Sequence, residues 1–321
     1  MSDSGLDFSV VIPSYNRPAR LEACVDSICA MDFPAERYEI VVVDDGSPTP
    51  LADAVERGVK GRVRARCVRQ ENQGPGGARN HGARLAEGRN LAFIDDDCKP
   101  HERWLSELAA GLEQDPTAMV GGDVLNDLRD DRCAEASQQV MRFIYEYFNA
   151  TPGDARFFCS DNMAMSRELF AEVGGFRVNP ACGYGEDREL CDRWRHHGYP
   201  RIFRPDALIY HYHAMTLRKF LKQHFGYGRG GREYQLARAE DGRGPVPQEP
   251  LSFYFGLVGY PFRDTRTELN PLIQSALIFV CQGVNAMGYF YERSRPVGPV
   301  RYYKAEPSGE GDRQGSAEAA T

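Results

Sequence analysis

The chain has 321 residues, 42% of them hydrophobic and 26% charged, with a formal net charge of −7 and a pI near 5.6. That length allows one large or two small domains with a substantial core, and the acidic balance argues against nucleic acid held by general electrostatics. Nine cysteines, odd in number and without a C-x-x-C pair, indicate neither a disulfide framework nor structural zinc, and suit a reducing cytoplasm. Met1 to Asp7 is short and polar and does not read as a signal peptide.

In chain order, the apolar run Phe8–Pro13 predicts a strand and about Arg17 to Met31 a helix. Tyr38–Val43 is β-branched and almost wholly apolar, as a strand buried on both faces would be. Val63–Arg69 predicts a polar strand nearer an edge, Gly76–Ala86 a helix, Leu91–Ile94 a strand and His101–Gln114 a helix. This βαβα order implies a parallel sheet with helices on both faces, where ligands bind at the carboxyl ends of strands. The second part is less regular. Strands are expected over Thr117–Val124, Met163–Met165 and Ala207–Tyr212, and helices over Ala134–Phe148, Tyr184–His196 and Leu217–Phe225. Glu306–Thr321, rich in Gly, Ser, Glu and Ala, reads as a disordered tail.

Polar signatures stand at three predicted strand ends: Pro13-Ser14-Tyr15-Asn16-Arg17, Asp44-Asp45-Gly46-Ser47 and Asp95-Asp96-Asp97. Three adjacent carboxylates repel, and a hard divalent cation removes that cost. In an extended segment Asp95 and Asp97 share one face as a D-x-D clamp, while Asp96 turns away and is the most replaceable. The plain alternative is a solvated acidic turn. Asp45 is either a turn residue or a carboxylate accepting from a base N–H or a ribose hydroxyl.

The glycine-rich run Asn72 to Asn80, which includes Gly74 and Arg79, enters a helix in a way that suits phosphate. It is neither G-x-G-x-x-G nor a P-loop, which disfavours dinucleotide and Walker-type binding. Glu186-Asp187 opens a helix, where acidic residues cap favourably; the functional reading makes Asp187 a general base and Glu186 its orienting partner. His211 and His213 sit at strand spacing on one face, either as metal ligands or as structural histidines. The basic stretch Arg218 to Arg232, with Arg229 among its glycines, is a solvated helix face followed by a flexible loop, or a patch for phosphate or anionic lipid.

Pro271–Tyr291 carries no charge and is long enough to span a bilayer. Gln274, Gln282 and Asn285 fall on one side, with Ser275 nearby, which favours an amphipathic helix over a lipid-embedded span. It would lie on the inner face of the cytoplasmic membrane, with Arg293 and Arg295 at the headgroups, or pack on the catalytic domain.

With these residues in hand, the chain resembles the family 2 glycosyltransferases of GT-A fold. The matching positions are Val11 to Arg17, Val43 to Ser47, Asn72 to Asn80, Phe93 to Asp97, Asn162-Met163-Ala164, Val173 to Phe176 and Glu186-Asp187. They run in the family's order over roughly residues 8–215. The resemblance implies an α/β fold with a mostly parallel central sheet, helices on both faces and a C-terminal helical extension. It divides the chain into a catalytic domain over 1–215 (nucleotide half 8–118, acceptor half 119–215), an extension over 216–305 and a tail over 306–321.

The same resemblance implies an inverting enzyme that uses a nucleotide-diphosphate sugar, a UDP-sugar first, with Mn²⁺ or Mg²⁺ as cofactor and an unidentified acceptor. Asp45 would contact base or ribose and Arg79 the nucleotide side. Pro13, Tyr15, Asn16, Asn72, Gly74 and Asp96 would belong to the donor site, and the basic stretch, outside the resemblance, adds Arg229 to it as a phosphate contact. Asp95 would sit near ribose and metal, Asp97 would be the main metal ligand, and His211 or His213 would complete that site. Asp187 would deprotonate the acceptor hydroxyl. No Gln-x-x-Arg-Trp follows the acidic pair, which favours single addition over polymerisation. A catalytically silent sugar-nucleotide-binding or scaffold protein of the same fold is the alternative. A nucleotidyltransferase would be expected to show a basic glycine-rich loop at its start, and none is present.

Overall fold

A computed structural model describes residues 5–179 and 182–295; the tail expected over 306–321 lies outside the described residues. The first half runs β1 (Phe8–Ser14), α1 (Pro18–Ile28), β2 (Tyr38–Asp44), α2 (Ala52–Val59), β3 (Arg64–Arg69), α3 (Gly74–Leu85), β4 (Asn90–Phe93), β5 (Cys98–Pro100) and α4 (Trp104–Gln114). The second runs β6 (Met119–Asn126), α5 (Arg132–Phe148), β7 (Met163–Ser166), α6 (Arg167–Val173), α7 (Glu186–His196) and β8 (Arg201–His211). Three helices follow: α8 (Leu217–Glu240), α9 (Leu251–Gly259) and α10 (Pro271–Arg293).

All eight strands form one sheet in the order β3-β2-β1-β4-β7-β6-β8-β5. β3, β2, β1 and β4 are mutually parallel, as are β6 and β8. β7 runs antiparallel to both of its neighbours, and β5 is antiparallel to β8. β1 and β2 bury every residue, whereas β3 at the edge buries none, matching its polar sequence. One apolar cluster joins α1, α2 and α4 to one face of the sheet; a second joins α3, α6 and α7 to the other. A third holds α8, α9 and α10 together on α5.

Several elements differ from the sequence reading. β8 begins at Arg201, six residues before the apolar run, because its polar start pairs with β6. Arg201 itself is buried on Ala155 O and Asp154. The expected break after Phe225 is absent, and α8 continues through the glycines to Glu240. A Cβ on Gly228 would lie 1.8 Å from Asn285 O, and one on Gly288 would lie 2.0 Å from Phe225 O. The glycines therefore let α8 and α10 touch backbone to backbone. Helices α2, α6 and α9 were not expected; each has fewer than ten residues, so its apolar period repeats too few times to stand out.

Candidate active site

The parallel register lines up the strand ends. Ser14 pairs with Asp44, and Ile94 N donates to Val11 O, so the segments after β1, β2 and β4 emerge side by side. Ser14 Oγ donates to Asp96 Oδ2 at 2.6 Å, tying the first end to the third. Pro13 is buried within β1, and Tyr15 is 49% exposed just beyond it. Asn16 takes a left-handed φ of 55° and donates its N–H to Ser47 Oγ at 2.9 Å, tying the first end to the second.

Asp45 is occupied by the glycine-rich loop. Its carboxylate accepts from Gln70 Nε2 at 2.7 Å, Gln73 N at 2.8 Å and Gly74 N at 2.9 Å, while Asn72 Nδ2 donates to its carbonyl at 2.9 Å. In this structure Asp45 positions the start of α3, where Gly74 adopts φ +78°.

The three aspartates separate. Strand β4 ends at Phe93, so Asp95, Asp96 and Asp97 lie in the turn that leads to β5. Asp95 and Asp97 remain partly open and Asp96 is buried, which keeps the expected alternation. The expectation that Asp96 is the most replaceable is corrected. It accepts from Ser14 and, at 3.1 Å, from Arg17 Nη1, so it anchors the turn. Burial, with Asp97 beside it, raises its pKa to about 6.

Asp97 receives Arg17 Nη1 at 2.7 Å and faces His211 Nε2 at 3.3 Å. Burial would raise the pKa of Asp97, but the His211 hydrogen bond and charge, with Arg17, bring it down to about 2. His211 is raised to about 9 against its own desolvation, chiefly by Asp97. The His213 ring lies 4.9 Å from that of His211 but beyond the end of β8; burial, then the neighbouring imidazolium, lowers it to about 4.

Oxygen and nitrogen atoms of Asp97 and His211, with Cys98 Sγ, lie within 4.8 Å of one another. The carboxylate and imidazole suit a hard or borderline divalent cation. Cys98 is a poor third ligand, because burial pushes its thiol well up and keeps it protonated. The residues therefore fit Mn²⁺ or Mg²⁺ through Asp97 and His211.

Arg79 is the organising cation. It projects from α3, is almost wholly buried, and donates to Asp95 Oδ1 at 2.6 Å and to Glu186 Oε1 at 3.3 Å. It thus couples the end of β4 to the start of α7. Gly185, at φ +90° and against the Gly230 carbonyl, lets that helix start close to α8. Burial and the adjacent Asp187 raise Glu186, and burial raises Asp187, above the ordinary carboxylate range. Arg229 stands on α8, next to the Gly230 that packs on Gly185. It binds Glu292 of α10 and so fastens α8 to α10.

Asp161 escaped the sequence reading. It stands just before β7, and because β7 runs antiparallel to β4, with Phe93 opposite Met163, its beginning lies beside the end of β4. Asp161 is 9% exposed and Oδ1 has no partner among the described residues. Burial raises its pKa; His211 and Arg79 oppose this, and Asp95 and Asp97 add to it. A polar residue bordering Met163–Met165 was the available signal.

A model of glycosyl transferase family 2 matches residues 9–174, and one described as the N-terminal domain of galactosyltransferase matches 144–217. Glycosyltransferase AglE of Haloferax volcanii is 26% identical over 223 residues, 69% of this chain and 72% of that protein. Validoxylamine A glucosyltransferase of Streptomyces hygroscopicus is 31% identical over 220 residues, 60% of this chain but only 52% of the relative's length. Among solved structures, mannosyltransferase PcManGT of Pyrobaculum calidifontis, in complex with GDP-Man and Mn²⁺, superposes with a TM-score of 0.56 at 20% identity, covering 90% of this chain and 81% of that one. TarS 1-349 of Staphylococcus aureus, in complex with UDP-GlcNAc, gives 0.54 at 17% identity, covering 90% and 91%. These likenesses establish the GT-A type fold, and the family model spans more than half of the sequence: this chain belongs to glycosyl transferase family 2.

Proposed function

We propose that this transferase moves a sugar, with inversion, from a nucleotide-diphosphate donor to an acceptor hydroxyl in single additions, with a UDP-sugar as the leading donor. The observation that carries the reading is the Arg79 bridge, which fixes the base candidate Asp187 and its neighbour Glu186 against the Asp95–Asp97 turn. Donor would enter at the joined strand ends of residues 8–118, with Tyr15 free to stack on a base and the Asn72–Gly74 loop, held by Asp45, facing the nucleotide. Arg79 holds Asp95 and Glu186 in place for the sugar. Asp187, at the first turn of α7, takes the acceptor proton as the new bond forms. A divalent cation on Asp97 and His211 would supply positive charge to the leaving diphosphate. The acceptor half is assigned to 119–215 and the extension begins at 216. Thermal-shift titration with UDP-, GDP- and dTDP-sugars and Mn²⁺ or Mg²⁺ tests the reading: a cation-dependent rise with a UDP-sugar is expected, and no rise with any of them overturns it.

Helix α10 supports peripheral contact with the inner membrane face. Gln274 is wholly buried, whereas Leu272, Phe279, Met287 and Phe290 form an exposed apolar stripe, with Phe279 69% exposed. Its polar side meets protein and its apolar side faces out, the reverse of a helix on a water-soluble surface. Leu251 and Phe255 of α9 and Phe262 are exposed apolar side chains of the same helical extension, and Arg263, Arg293 and Arg295 are exposed as well. Bilayer lipid with anionic headgroups is the occupant this pattern fits. The nine free cysteines accord with a cytoplasmic location. Co-sedimentation with phosphatidylglycerol-containing vesicles is expected; full recovery in the supernatant overturns the membrane reading.

A further inference from the structure

A cavity opens between α5, α8 and the segment leading into β7, and its wall includes His211, the candidate cation ligand. Two buried polar atoms on that wall lack partners among the described residues. One is Asp161 Oδ1, an acceptor. The other is Arg142 Nε, a donor, on a side chain whose residue is 6% exposed and whose Nη1 is already held by Glu135 at 2.6 Å and Asp264 at 2.9 Å. Buried polar groups are ordinarily satisfied, so two side chains that line one cavity and each keep an unpartnered polar atom, one an acceptor and one a donor, point to a guest that offers both.

A hydroxyl donates and accepts at once, and a ring or chain of hydroxyls can meet both atoms. Two acids, Asp123 and Asp161, line the cavity against one arginine already paired twice, a balance that offers phosphate or carboxylate little. Nor does Asp161 belong to the cation cluster, which contains Asp97, Cys98 and His211. The remaining wall includes Gln138, Gln223 and Tyr227, whose amides and hydroxyl suit a neutral polar guest. The cavity also reaches the reacting region, since His211 lines it and the ring of Tyr227 on its wall packs 5.7 Å from that of Tyr184, close in sequence to Asp187.

We propose that Asp161 and Arg142 form an acceptor subsite for a neutral, hydroxyl-rich group, a sugar ring or a polyol, and place one of its hydroxyls before Asp187. The inference rests on the transferase reading and adds the chemical class of the acceptor. The test uses the full chain with Mn²⁺ and UDP present, titrated with glycerol, methyl α-D-glucopyranoside and methyl α-D-mannopyranoside under saturation-transfer NMR. At least one probe is expected to bind the wild type. The isosteric Asp161→Asn variant should weaken it roughly tenfold or more, as should Arg142→Gln, with UDP affinity retained. If Arg142→Gln fails to fold, Asp161→Asn and Tyr227→Phe carry the test.

Absence of binding by all three probes overturns the proposal, as does equal binding by wild type and Asp161→Asn. Loss of UDP-sugar affinity without loss of UDP affinity in Asp161→Asn would assign the cavity to the donor's own sugar, and that also overturns it. Failure of the transferase reading looks different: the wild type would then bind no nucleotide sugar at all.

Discussion

Strands β1 and β2 each bury all seven residues, satisfying Ser9 on Glu39 within the sheet and presenting their site residues at the carboxyl ends, whereas α10 turns Gln274 inward and its phenylalanines outward. In the first region the sheet is an apolar scaffold and chemistry is confined to its rim, where hydrogen bonds and ion pairs tie one strand end to the next. In the second, polar side chains lie between helices that pack through glycine, and the apolar side is left for another medium. The contrast sets two uses of hydrophobic surface side by side: a rigid floor beneath a charged site, and an outward apolar face that the membrane proposal assigns to lipid.

The largest effect expected from breaking the rim is at the base. Asp187→Asn should lower kcat by about 10²–10⁴-fold while donor affinity, measured calorimetrically, is kept; full turnover would sink the assignment. Next comes the cation pair. Asp97→Ala should weaken Mn²⁺-dependent donor binding about 10–100-fold, with the fold intact by circular dichroism. Asp96→Ala should act mainly on stability, costing about 1–3 kcal/mol in urea unfolding, because Ser14 and Arg17 lose their buried acceptor. A folded Asp96→Ala variant that loses cation affinity as Asp97→Ala does would reverse these roles.

The pH dependence is a finer probe of the same rim. Burial raises Asp187 above the ordinary aspartate value of about 3.9. Its basic form is therefore lost as pH falls through that raised value, and kcat/KM should begin to drop at a higher pH than a solvent-exposed aspartate would give. The backbone N–H of Arg188 and then the charge of Arg79 hold the value down, so Arg79→Gln should move this acid limb upward, whereas Arg188→Gln, which keeps the N–H, should move it less; a limb unmoved by Arg79→Gln in a pH–rate profile would place the titrating group elsewhere. The smallest effect belongs to the inverted helix. Gln274 is wholly buried with both side-chain polar atoms unpartnered among the described residues, so Gln274→Leu should be neutral or stabilising by about 1 kcal/mol in thermal unfolding. A clear loss of Tm would mean that the amide has a partner to lose.

Much of the rim was legible before the fold was known. Ser14, Asp45, Asp95 and Asp97 announced themselves because apolar runs stop abruptly at polar residues, and in a parallel sheet those stops fall on one edge. Glu186-Asp187 and His211 were legible as chemistry but not as neighbours, and the Arg79 bridge appears only when α3 and α7 are packed on the same face. Asp161 was hidden by strand direction, since its segment reads as the approach to a strand and becomes part of the site only because β7 is antiparallel. Charge in a glycine-rich stretch looks like a phosphate loop, whereas these glycines lie inside α8, Gly228 to admit α10 and Gly226 and Gly230 to admit the Tyr184–Gly185 segment.

The sequence by itself determined the alternation of buried strands and helices, the polar strand ends and the ordered family motifs, because burial period and backbone chemistry are local properties. Only the tertiary structure decided that Asp96 is an anchor, that Arg79 joins the two halves, that Asp161 faces a cavity with Arg142, and that α10 wears its apolar side outward. Each of these depends on which residue from a distant segment satisfies a charge or fills a surface, and that partner is fixed by packing rather than by sequence neighbours.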